Sequence, residues 1–82
     1  MNRDILEKVL YDLSTNRANL KLFSTEPDRF LKRYRLSEDE RQAILGYEVR
    51  TLANEGVNTM LTWGYWLQSG RSNDDYLAAM RQ

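Results

Sequence analysis

The chain has 82 residues, twelve basic and twelve acidic side chains in balance, nine aromatics, one proline, and neither cysteine nor histidine. A chain this short holds one domain with a small core, and a zero charge balance supplies no global field to gather nucleic acid or an anionic membrane. Without cysteine there is no disulfide framework or thiolate site, and without histidine the commonest general base and transition-metal ligand are missing.

The opening residues mix acidic with apolar side chains and hold no continuous apolar run, so they read as neither a signal peptide nor a membrane span. A cytoplasmic protein is the expectation. Asp4 is placed to cap a first helix, after which Ile5, Leu6, Val9, Leu10 and Leu13 fall on a single helical face. Ser14, Thr15 and Asn16 then carry stop and start signals, and the spacing predicts a short second helix over Arg17 to Phe23 offering Leu20, Leu22 and Phe23. Thr25, Pro27 and Asp28 announce a third start: a hydroxyl cap, a proline in the first turn where its missing N–H costs nothing, and a carboxylate at the positive helix end. That helix turns Phe30, Leu31 and Tyr34 inward and stops at Leu36.

Ser37-Glu38-Asp39-Glu40 is the clearest local signal, because Ser37 and Glu40 stand three apart as a capping box. The helix that begins there runs through Ala43, Ile44 and Leu45 to Gly46. Mid-helix glycine costs only about 1 kcal/mol, so propensity alone does not decide whether Gly46 interrupts the period that Val49, Leu52 and Ala53 continue. A break is the reading adopted. Gly56 followed by Val57 fits a glycine C-terminal cap with its apolar contact, and Asn58 caps the next helix.

That helix, about Asn58 to Gln68, is the element around which the others are organised. Met60, Leu61, Trp63, Tyr65, Trp66 and Leu67 make it apolar nearly all round, so it needs cover on more than one side. Gly64 in its middle would let another backbone approach closely. Gly70 supplies a left-handed stop, and Ser72 to Asp75 open a last helix whose Tyr76, Leu77 and Met80 can fold back. With no strand-like alternation or internal repeat, the expectation is an all-α, compact orthogonal bundle of six or seven short helices forming a single domain over residues 1–82.

Four constellations invite a chemical reading. Glu38, Asp39 and Glu40 point in different directions from an exposed first turn, which favours capping over acid/base or metal chemistry. Arg29, Lys32, Arg33 and Arg35, interleaved with Phe30 and Tyr34, are favoured by the dipole at a helix C-terminus, and zero net charge argues against a nucleic-acid footprint. Arg50 to Leu67 has the outline of a helix-turn-helix, yet its second helix presents Trp63, Tyr65 and Trp66 where base-reading donors would stand. The aromatic cluster itself reads either as core or as half core and half contact surface, with Met60, Trp63, Tyr65 and Trp66 as the candidate partner interface. No catalytic, cofactor-binding or metal-ligating residue stands out.

The segment LSEDERQAILGYEVRTLANEGVNTML resembles the small α-subunit of the class III extradiol ring-cleavage dioxygenases, the protocatechuate 4,5-dioxygenase type with its LigA-like domain. Leu36, Ser37, Glu40, Arg41, Ala43, Leu45, Leu52, Gly56, Val57 and Asn58 carry the resemblance. It is specific over the middle third, general before it, and without a motif from about Gln68 onward. It implies an all-helical subunit of aromatic compound catabolism that lies over the active site of a separate catalytic subunit, with any iron held there and none in this chain. The expected partner is therefore a protein: such a catalytic subunit, or a peptide-modifying enzyme for which this would be a docking or precursor-type domain, or a second copy of the chain. Nucleic acid and membrane are not expected.

Overall fold

Ile5, Leu6, Val9, Leu10 and Leu13 do share a face, and the last four are buried on the first helix, α1 (Arg3–Thr15). The computed structural model describes residues 1–81, so the expected domain over 1–82 runs one residue beyond them. Among the described residues there are seven α-helices and no strand, an all-α fold. The cap of α1 is Asn2 rather than Asp4: its side chain accepts the N–H of Ile5, and Asp4 sits in the first turn, where its charge still favours the helix end.

α2 (Arg17–Thr25) begins at Asn16, whose side chain accepts the N–H groups of Ala18 and Asn19, and it runs two residues past Phe23. Thr25 does not cap α3 (Pro27–Leu31). Its hydroxyl donates back to the Lys21 carbonyl inside α2, and Glu26 takes the cap position with no side-chain bond. α3 ends at Leu31, short of Leu36: Arg33 and Tyr34 donate to the Phe30 and Leu31 carbonyls in a tightened last turn, and side chains hold the stretch beyond it. The Tyr34 hydroxyl donates to Asp12 on α1, and the Arg33 guanidinium donates to Asn19 on α2.

α4 (Glu38–Leu45) carries the expected capping box in full, with Ser37 accepting the Glu40 N–H and Glu40 accepting the Ser37 N–H. The chain breaks at Gly46 before α5 (Val49–Asn54). α5 closes as a Schellman turn: Gly56, at φ +90°, donates to Ala53, and Val57 donates to Leu52. Asn58 then caps α6 (Thr59–Gln68) by accepting the Met60 N–H. Gly70, at φ +89°, lies just past the end of α6, and Ser72 caps α7 (Asn73–Met80).

α6 packs chiefly along α1 and also meets α5 and α7. Its glycine faces α1 and no foreign backbone: a Cβ on Gly64 would stand 3.1 Å from the Ser14 hydroxyl, which is itself bonded to the Leu10 carbonyl. On α7, Tyr76 is buried as expected and Met80 is half-buried, but Leu77 turns outward. α7 spans about two turns, and its inward side is taken by Tyr76, Ala79 and Met80, which leaves Leu77 outside.

Candidate protein interface

An apolar helix with no polar stripe must still turn some side outward if its neighbours cover only part of its circumference. α6 does so. Thr62, Tyr65 and Trp66 face the core, and the opposite side carries Met60 and Trp63, three residues apart, with Leu67 one turn further on but half-buried against the core. Met60 is 75 % exposed and Trp63 43 %, whereas Tyr65 is fully buried and Trp66 nearly so. The four residues read from the sequence as one interface therefore divide. Met60 and Trp63 lie on the surface together, and Tyr65 and Trp66 belong to the core.

Burial leaves no polar atom of the two core rings stranded. Buried tyrosine and tryptophan each need one hydrogen bond, and both core rings find it: Tyr65 donates to the Ile44 carbonyl and Trp66 Nε1 to the Ser72 carbonyl. Burial pushes the Tyr65 phenol well above its ordinary value, so the ring stays neutral. Even the one polar residue on the inner side of α6 is accommodated, because the Thr62 hydroxyl donates to the Thr59 carbonyl and pairs with the Tyr76 hydroxyl at 2.8 Å.

Trp63 is tied to α7, with Nε1 donating to Asn73 Oδ1 at 2.9 Å. Leu77, 45 % exposed, stands one turn further along α7 on the same side as Asn73. The apolar strip on α6 thus continues onto α7. Its tryptophan is held in one orientation before any partner arrives, which reduces the ordering cost of contact.

The aromatic centre that sequence reasoning missed is Tyr47. Its ring stacks on Tyr65 at 4.7 Å, meets Phe23 and Trp66 edge-on at 6.3 and 6.0 Å, and carries the Arg71 guanidinium 4.0 Å from its centre. It is also the described non-glycine residue with a left-handed backbone, φ +52°, while Gly46 beside it has φ −87°. The turn is again of Schellman type, since Tyr47 donates to Ile44 and Glu48 to Ala43. The adjacent glycine hid the tyrosine, because glycine is the residue expected to take that conformation.

Glu38 and Glu40 are both committed to hydrogen bonds at the start of α4. Glu40 is buried; burial alone would raise its pKa, but the N–H groups of Ser37 and Asn2 hold it below the ordinary value. Glu38 is brought down to about 2 by its hydrogen bonds from Arg41 and Gln42. Among the described residues no group of three or more histidine, cysteine, aspartate or glutamate side chains is placed to hold a metal ion. No helix among them is long and apolar enough to cross a membrane.

A family model described as aromatic-ring-opening dioxygenase LigAB, LigA subunit, matches residues 6–82. The match extends over α7 and the stretch after Gln68, where the sequence shows no motif of its own. No curated protein and no solved structure matches the chain.

Proposed function

The chain belongs to the family of the LigA subunit of aromatic-ring-opening dioxygenases, and from that premise we propose that it is a non-catalytic helical subunit that docks on a catalytic partner through the outer face of α6. The observation that carries this reading is the exposed strip of Met60, Trp63 and Leu77, which the neighbouring helices leave uncovered. Its residue types suit such a role, since tryptophan and methionine are enriched in the buried centres of protein interfaces. The iron of the assembled enzyme is, on this reading, held by the partner, because this chain has no histidine.

Co-expression with a catalytic subunit of an aromatic-ring-opening dioxygenase tests the proposal by size-exclusion chromatography and oxygen uptake. The two chains are expected to elute together, to consume oxygen with an aromatic substrate only when the catalytic subunit is present, and to separate in a Met60→Glu, Trp63→Ser variant. A chain that elutes as a homodimer beside a free catalytic subunit would replace this reading with self-association through the same face.

A further inference from the structure

A second surface, away from the α6 strip, has the makings of a ligand site. A half-open cleft of about 770 Å³ lies between α2 and the turn joining α4 to α5, within the size range of small-molecule pockets. Leu20, Phe23, Leu45 and Tyr47 form its apolar wall, and Arg17 and Lys21 stand at its edge with no acidic side chain among the lining residues. Arg17 and Lys21 are one helical turn apart on α2 and project to the same side. Among the described residues neither is paired with a carboxylate. They also belong to the most basic part of the chain: between Asn16 and Leu36 stand six basic residues and two acidic ones, in a protein whose total is zero. The wall is preformed, because Tyr47 is clamped between Tyr65 and Arg71 and braced by Phe23.

We propose that this cleft binds a small amphipathic anion, whose apolar body lies along Phe23 and Tyr47 and whose anionic head is met by Arg17 and Lys21. Two uncommitted cations beside an aromatic wall select for a negative charge attached to an apolar group, and discriminate against the same group without the charge. The proposal goes beyond the subunit reading and is independent of it, since none of the cleft residues lies on the α6 strip.

The probes are 8-anilinonaphthalene-1-sulfonate and its uncharged counterpart N-phenyl-1-naphthylamine, titrated against the whole chain with ¹⁵N chemical shifts as the readout. Shifts from the sulfonate are expected at Phe23, Leu45 and Tyr47. Its affinity is expected to fall at least about fivefold in an Arg17→Gln, Lys21→Gln variant and to weaken with added salt, while the neutral probe is unaffected by either change. Both substituted side chains are exposed, so the variant keeps its fold. Trp63→Ser is expected to leave sulfonate binding unchanged. Equal affinity in the double variant, or shifts centred on Trp63 and lost in Trp63→Ser, would overturn the proposal.

Discussion

Replacing Tyr47 separates two opposing contributions. Its left-handed backbone costs a non-glycine residue about 1 kcal/mol. Its ring offsets that cost through three aromatic neighbours, worth about 1 kcal/mol each, and the stacked Arg71, worth somewhat less. Tyr47→Ala keeps the strain and loses the ring, for a net loss of about 3 kcal/mol. Tyr47→Gly loses the ring and relieves the strain, for a net loss of about 2 kcal/mol. Glycine is thus expected to be the more stable of the two, the reverse of its usual rank against alanine in a helical stretch. Urea unfolding followed by circular dichroism reads the difference. With a slope of about 1 kcal/mol per molar, the glycine variant's midpoint should lie about 1 M above the alanine variant's. An alanine variant at or above the glycine variant would refute the left-handed cap, and two variants as stable as the parent would refute the clamp around the ring.

Acid should act through Glu40. Its folded-state pKa lies below the ordinary value of 4.5, so its contribution is present above that value and is lost as pH falls through the lower folded one. Unfolding free energy measured below about pH 5 should therefore decline less steeply in Glu40→Gln than in the parent, and the variant should already be destabilised by about 2 kcal/mol at neutral pH, since one amide hydrogen would face an N–H donor. Tyr76→Phe should cost about 1 kcal/mol, a shift of roughly 4–8 °C in Tm, because Thr62 retains its bond to the Thr59 carbonyl. Met60→Glu should change stability by less than about 1 kcal/mol because that side chain is 75 % exposed, whereas Trp63→Ser, which removes a ring more than half covered together with its Asn73 bond, should cost about 2–3 kcal/mol. A larger loss would place Trp63 in the core.

The helix starts and stops were legible wherever a cap is written in a few adjacent residues. Ser37 with Glu40, Gly56 with Val57, and Asn58 all act as their spacing indicates, and seven helices result. Where caps compete, local pattern was not enough: Asn2 displaces Asp4, and Thr25 spends its hydroxyl on the helix it ends. The candidate interface was half legible. A helix apolar all round has no amphipathic direction, so nothing in α6 alone says which side the core takes. That choice is made by partners distant in the chain, with Ile44 and Ser72 receiving the Tyr65 and Trp66 hydrogen bonds and Ser14 filling the space at Gly64. Tyr47 was hidden for the same reason, because its conformation is fixed by Tyr65, Trp66 and Arg71 and runs against its own propensity.

Calorimetric titration of the chain into an isolated catalytic subunit of an aromatic-ring-opening dioxygenase, repeated with the Met60→Glu, Trp63→Ser variant, tests the proposed docking face most directly. The account predicts binding with a negative heat-capacity change, the mark of buried apolar surface, and a Kd raised at least about tenfold in the variant at a temperature where circular dichroism shows the variant still folded. Equal affinity for parent and variant would contradict it.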